Sequence, residues 1–338
     1  MVNDINIKVV LASRPKGYPQ ECDFKIVESK IAAVGEGELL LKILWLSLDP
    51  YMRGRMNDMR SYAPSVVLGE PMVGGAVARV IESRSPMYKV GDIVEGNLGW
   101  QSYAISDGLG LRKVDESLAP LQTSLGVLGM PGLTAYFGFL DICKPIPGDT
   151  VVISAASGAV GQVVGQIAKI MGCNVVGTAG TDAKVNFIVE ELGFDAGINY
   201  KTENISDALD AYCPDGVDVY FDNVGGDVTD AVLARINTWA RIAICGQISQ
   251  YNLKEPDMSP RNLSILTRSQ AKMEGFLVFN YENRYEQGRN RLARWIKQGK
   301  IIYKESVTEG LENAPSTFIG MLKGHNFGKT LIKVSRSP

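Results

Sequence analysis

The chain has 338 residues, 35 Lys and Arg against 37 Asp and Glu for a formal net charge of −2, and 45% hydrophobic residues. That length makes two domains the expectation, and the composition fills two ordinary cores while excluding a disordered chain. Near-neutral charge without a basic surplus argues against a nucleic-acid or anionic-membrane binder, and no apolar run approaches the roughly 18 residues that cross a bilayer.

Up to about residue 120 the sequence reads as β-rich and irregular. Short apolar runs at 7–10, 40–46, 72–81, 92–96 and 100–105 are separated by Gly, Pro and Asp turns, and no helical period is sustained. Glycines are dense between Gly69 and Gly110, as a small, tightly turned barrel requires. From about Thr150 the rhythm becomes strand, helix, strand, helix. The run 150–154 (TVVIS) is an apolar, β-branched strand of the kind buried on both faces of a parallel sheet. Over 158–171, Val160, Val163, Val164, Ile167, Ala168 and Met171 form one helical stripe, closed by Gly172. A strand at 173–178 and a helix at 183–192, ended by Gly193, follow. Further strands are predicted at 196–199, 217–222, 240–245 and 273–278, with a helix at 284–298 ended by Gly299 and a last strand at 330–334. Six strands with helices between them predict an α/β, doubly wound parallel sheet. The expected division is 1–124, 125–300, and a tail 301–338 that returns to the first domain.

Five scattered cysteines, none paired as C-x-x-C, read as reduced core thiols. The single histidine, His325, sits in a polar turn and excludes any metal site built on two imidazoles. The start MVNDINIKVV lacks the basic-then-apolar pattern of a signal peptide, so a cytoplasmic address is expected.

The most informative segment is the strand 151–154 followed by Ala155-x-x-Gly158-Ala159-Val160-Gly161 and a helix. Gly158, without a Cβ, lets backbone approach a pyrophosphate, Gly161 allows close packing, and the helix start faces the anion. The second strand ends in small neutral residues up to Gly180, where an NAD enzyme places a carboxylate for the ribose 2′-OH. Lys184 follows and would meet a 2′-phosphate, which favours NADPH. Asp182 dissents, since its charge would repel that phosphate; its rival role is the N-cap of the next helix.

With these residues in view, the chain resembles the zinc-independent medium-chain dehydrogenase/reductase superfamily, in the branch of prostaglandin/leukotriene reductases, alkenal double-bond reductases and, nearest, bacterial NADPH-dependent curcumin reductases. The matching stretches run from end to end: 49–55 (DPYMRGR), 72–80, 99–101, 125–136, 154–161, 221–226 (FDNVGG), 245–252 (CGQISQYN) and 326–329 (NFGK). The resemblance implies a GroES-like β-barrel domain, including the tail, into which a Rossmann domain is inserted. It implies NADPH in a cleft, no metal, a homodimer, and reduction of the double bond of an α,β-unsaturated ketone or aldehyde. Rival readings are a quinone or enoyl-thioester reductase of the same fold, and a non-catalytic NADPH-binding protein.

Hydride addition to the β-carbon of an enone builds negative charge on the carbonyl oxygen, which hydrogen-bond donors must meet. A tyrosine hydroxyl or the nicotinamide ribose 2′-OH can do so; the resemblance makes Tyr251 and Tyr62 the candidate catalytic donors, with Tyr51 and Met52 beside them as candidate substrate contacts. The resemblance also assigns cofactor contacts to Tyr200, Asn223, Cys245, Gly246, Ser249, Tyr251, Phe276, Val278 and Asn326, beside the turn residues, Gly180 and Lys184. Met52, Met56 and Met59 suit an adaptable apolar substrate wall, with core packing as the alternative. Cys245 lacks a neighbouring histidine and reads as inert.

Overall fold

The computed structural model describes residues 4–259 and 261–335. They form two units: the chain up to Gly126 together with the chain from Glu305 on, and Val127–Lys304. In chain order the first stretch carries β1 (Ile5–Leu11), β2 (Phe24–Lys30), β3 (Leu39–Leu48), β4 (Gly75–Ser83), β5 (Ile93–Asn97), β6 (Tyr103–Ser106) and β7 (Arg112–Lys113). The middle stretch carries β8 (Thr150–Ile153), β9 (Asn174–Ala179), β10 (Ala196–Asn199), β11 (Val217–Asp222), β12 (Ile236–Ile244) and β13 (Lys272–Gly275). The tail adds β14 (Glu305–Glu309) and β15 (Lys329–Lys333).

In the first unit the sheet order is β14-β15-β3-β4-β5-β7, with β6 also paired to β3, and β1-β2 forms a separate pair. The tail strand β15 lies antiparallel against β3. Most of β3 is buried, as suits a strand covered on both faces. The core is organised around Trp100, fully buried, whose ring stacks on Phe24 at 5.7 Å and meets the edge of Phe318 at 5.6 Å. Phe318 belongs to the tail helix Ala314–Leu322, so the last part of the chain supplies part of the core laid down by the first. Each such ring contributes about 1.5–3 kcal/mol of apolar burial. A short helix, Tyr51–Arg55, forms a single turn after Pro50 in this half. One turn is too short to carry a period, which is why the pattern misses it.

The second unit has the expected doubly wound sheet, in the order β10-β9-β8-β11-β12-β13 with every pair parallel. The order reverses direction between β8 and β11, the place where such sheets bind nucleotides. Gly172, Gly193 and Gly299 end their helices at φ +82°, +73° and +67°, conformations that only glycine takes without strain. Three boundaries differ from expectation. The first crossover helix runs Gly161–Ile170, because the residues from Ala155 to Val160 form the turn itself. The helix beginning at Asp182 continues past Asn186 as a wider π-helical turn, Phe187–Glu191. The predicted strand 273–278 stops at Gly275, and Val278 instead opens a 3-10 helix, Val278–Arg284.

Candidate active site

The glycine turn follows β8 in the second unit. Ala155 holds a left-handed conformation at φ +48°, unusual for a residue with a Cβ and concentrated at functional turns. A Cβ on Gly161 would run into the Ala155 carbonyl oxygen and lie 2.8 Å from Ala156 Cα, backbone that cannot retreat. A Cβ on Gly158 would meet only the Ala155 oxygen, at 3.1 Å, so this glycine leaves a bare surface beside the helix start. Ala159 and Val160, both half-buried, complete the turn. A surface without side chains at a helix N-terminus fits a pyrophosphate.

Three loops at the C-terminal edge of the sheet are laced together by one carboxylate. Asp222 ends β11 and is 0% exposed. Its Oδ1 accepts hydrogen bonds from Ser154 Oγ (3.1 Å), Tyr220 OH (2.9 Å), Val224 N (2.9 Å) and Gly225 N (2.9 Å). Its Oδ2 accepts from Thr229 Oγ1 (2.7 Å) and Gln247 Nε2 (2.9 Å). The Asp222 carbonyl also takes the amides of Cys245 (2.8 Å) and Gly246 (3.1 Å). Asn223 is tied to the glycine turn, donating its amide to Ser154 Oγ and its side chain to Ser154 O, both at 2.8 Å. Ser249 Oγ donates to Val224 O at 2.6 Å. Sequence reasoning gave Asp222 no role. Its only local signal is a carboxylate at a strand end beside two glycines.

Tyr251 folds back on its own loop, where its hydroxyl accepts from Gln247 N at 3.3 Å. That bond uses a lone pair and leaves the phenolic proton out of it. The Cys245 thiol is pushed up to about 12, by burial first and by the Asp222 charge second, so it stays protonated and inert. Phe276 packs edge-on against Phe221 at 6.2 Å and presses on Gly138, where a Cβ would run into its ring. Val278 is buried.

At the β9 end of the sheet, Gly180 faces Tyr200 and Lys201: a Cβ there would sit 2.7 Å from the Tyr200 hydroxyl and 3.3 Å from Lys201 Cε. Burial holds Lys184 below the usual lysine range, and the charge of Lys201 lowers it further. Two lysines therefore share this corner, and Lys201 is a residue that sequence reasoning missed although it adjoins Tyr200. Asp182 is not the N-cap. Thr181 takes that role, its hydroxyl accepting from Lys184 N at 3.3 Å. Asp182 is the first helical residue, and its carboxylate accepts from Asn199 Nδ2 at 2.6 Å. The Thr181 hydroxyl reaches the helix amides from outside, whereas a side chain already inside the first turn does not.

In the first unit, Tyr51 is half-buried and Tyr62 is 55% exposed. Burial raises both phenols above their ordinary range, Asp49 raises them further, and Arg55 pulls the other way. Both remain neutral donors. Met52 is corrected as a substrate contact: it is 0% exposed and packs into the core with Met56, its neighbour one helical turn on. Of the three methionines only Met59, 70% exposed, faces outward. Arg53 is likewise buried, donating to Gly17 O at 2.9 Å and Asn57 Oδ1 at 2.6 Å. Asn326 bonds within its own turn, donating to Gly328 O at 3.0 Å.

Residues 8–114 match the family model described as the N-terminal domain of oxidoreductase, and residues 159–294 match the one described as zinc-binding dehydrogenase. The chain is 48% identical over 335 residues to the NADPH-dependent curcumin reductase of Escherichia coli (strain K12), covering 98% of this chain and 97% of that one. It is 45% identical over 337 residues to the 2-alkenal reductase (NADP(+)-dependent) of Nicotiana tabacum, covering 98% of each. The solved structure of CurA from Vibrio vulnificus in complex with NADPH superposes with a TM-score of 0.94 at 46% identity, over 98% of this chain and 100% of that one.

Proposed function

Because the chain belongs to the medium-chain dehydrogenase/reductase family, in its branch of curcumin, alkenal and prostaglandin reductases, it is an NADPH-dependent oxidoreductase, and we propose that it reduces the carbon–carbon double bond of α,β-unsaturated carbonyl compounds without a metal. The observation that carries the cofactor half of this reading is the corner at Gly180. Lys184, already lowered by burial, is lowered further by the charge of Lys201 beside it, and an anion at this corner would relieve that repulsion. Tyr200 adds a hydroxyl at the same place. Lys184, Lys201 and Tyr200 would hold the 2′-phosphate, and the Gly158 turn the pyrophosphate. Asn223, Cys245, Gly246, Ser249, Phe276, Val278 and Asn326 are proposed as the remaining cofactor contacts.

When bound, the nicotinamide supplies the hydride. The chain's own residues then have two tasks. The first is to stabilise the charge that appears on the carbonyl oxygen as the alkene β-carbon accepts hydrogen, and a neutral phenol is the donor suited to it. Tyr251 is proposed for that role, with Tyr62 as the second candidate and Tyr51 as part of the substrate wall. The second task is to let a proton reach the α-carbon, for which the same phenols are the available acids. The sequence holds one histidine, which supports a reading without a metal site built on two imidazoles. A homodimer and a cytoplasmic address belong to the same reading; among the described residues no helix is long and apolar enough to cross a membrane.

The test follows NADPH absorbance with an enone, with a quinone and with no acceptor. Consumption with the enone, matched by loss of its conjugated absorbance, supports the reading. Oxidation with the quinone alone would replace it by a quinone reductase, and tight NADPH binding without turnover by a non-catalytic role.

A further inference from the structure

The six donors that converge on Asp222 are hydroxyls and amides, all of them neutral. Among the described residues no lysine, arginine or histidine forms an ion pair with it. Neutral donors stabilise a carboxylate without cancelling its charge, and in a buried setting the remaining field is weakly screened. Two neighbours register that field: the Tyr220 phenol, raised far above its usual range by burial and then by Asp222, and the Cys245 thiol.

The position of the charge gives it a function. The lysine corner lies on the β9–β10 side of the crossover, so a bound dinucleotide would lay its phosphate-bearing half on that side and its nicotinamide half toward β11, β12 and β13. Asp222 is the last residue of the first strand on the nicotinamide side, and its backbone carbonyl holds the Cys245 and Gly246 amides of the next loop. Reduction of the alkene adds a hydride and a proton, and removal of the hydride leaves the nicotinamide ring with one positive charge. The oxidised and reduced forms therefore differ by one unit of charge, a difference that a fixed anion on the same side of the sheet would sense.

Resting on the NADPH reading above, we propose that Asp222 is a positioning and electrostatic residue whose buried charge favours the oxidised dinucleotide over the reduced one, making the bound cofactor a stronger hydride donor. Each tenfold preference for the oxidised form lowers the potential of the bound couple by about 30 mV, as for any two-electron pair.

The neutral isostere Asp222→Asn tests this cleanly. Its oxygen can keep the four donors now on Oδ1, while its amide meets Thr229, whose hydroxyl can turn to accept, and Gln247, whose side-chain amide can flip. Dissociation constants for NADP+ and NADPH are measured by titration of the wild type, Asp222→Asn and Thr229→Val, the last of which removes one of the hydrogen bonds to Asp222, together with the Thr229–Tyr220 contact, and keeps the charge. Asp222→Asn is expected to weaken NADP+ about fivefold to tenfold more than NADPH, whereas Thr229→Val shifts both constants together. Equal weakening of the two forms by Asp222→Asn would reduce Asp222 to a scaffold and overturn the proposal. Should Asp222→Asn not fold, Asp222→Ser reads the same ratio. Failure of the wild type to bind either form would instead overturn the cofactor reading beneath it, a different result.

Discussion

Lys329, in the tail strand, donates from Nζ to Asp49 Oδ1 at 2.7 Å and to the Leu48 carbonyl at 2.8 Å, across 280 residues of sequence to the aspartate. Both members of the pair are buried, and Ser47 Oγ donates to the other Asp49 oxygen. The contact pins β15 to the end of β3, immediately before the helical turn that carries Tyr51. Removing one partner leaves a buried charge uncompensated, so Lys329→Ala is expected to cost about 3–5 kcal/mol in chemical denaturation. The double variant Lys329→Met/Asp49→Asn should recover most of that loss. If the single variant unfolds at the wild-type midpoint, the pair contributes nothing to the fold.

Glu305, where the chain re-enters the first unit, is raised above the usual carboxylate range chiefly by burial, and its Oε1 is buried without a hydrogen-bond partner. The folded state therefore holds its proton more tightly than the unfolded state. Below the unfolded value of about 4.5 both states are protonated and the group costs nothing; as pH rises through the folded value, stability is lost. Glu305→Gln should raise the unfolding midpoint at pH 7, and the gain should shrink as pH falls toward 4. A gain independent of pH would show that the charge is not its source.

Lys184→Ala should raise the KM for NADPH about tenfold, the scale of one charge-assisted contact, while leaving that for NADH unchanged. Lys201→Ala should act in the same direction. Steady-state kinetics with both cofactors decides it, and equal losses with the two would remove these lysines from phosphate recognition.

Tyr251→Phe deletes one hydroxyl and its bond from Gln247 N. The expected result is a fall in kcat of about tenfold to a hundredfold with the NADPH dissociation constant nearly unchanged. An unaltered kcat would pass the donor role to Tyr62, whose phenylalanine variant is the companion measurement.

Met52→Ala should behave as a core deletion, costing about 2–5 kcal/mol, because the side chain is 0% exposed among Leu, Val and Trp neighbours. Relative kcat/KM across enones of different length should not change. A reordered substrate preference at full stability would return Met52 to the substrate wall.

What could be read from the sequence alone is local and periodic. The strand 150–154, the Ala155–Gly161 turn and the helical stripe after it all depend on residues a few positions apart, where the 3.6-residue and 2-residue periods and the special conformations of glycine leave a direct mark. The parallel sheet follows from their repetition, and the neutral Gly180 end points to a phosphorylated dinucleotide. The one-turn helix at Tyr51 is too short to leave such a mark, and so the sequence does not choose between substrate wall and core packing for Met52 and Met56.

Pairings across long loops belong to the tertiary structure. Ser154 reaches Asp222 across 68 residues, Gln247 reaches it across 25, and Lys329 reaches Asp49 across 280. No pattern within a window records which donor a carboxylate will find once strands have been laid side by side. Whether Asp222 is a solvated acid or a buried charge, and whether Lys201 stands beside Lys184, depends on burial and on distance in space, quantities that the order of residues does not contain until sheet and loops close around them.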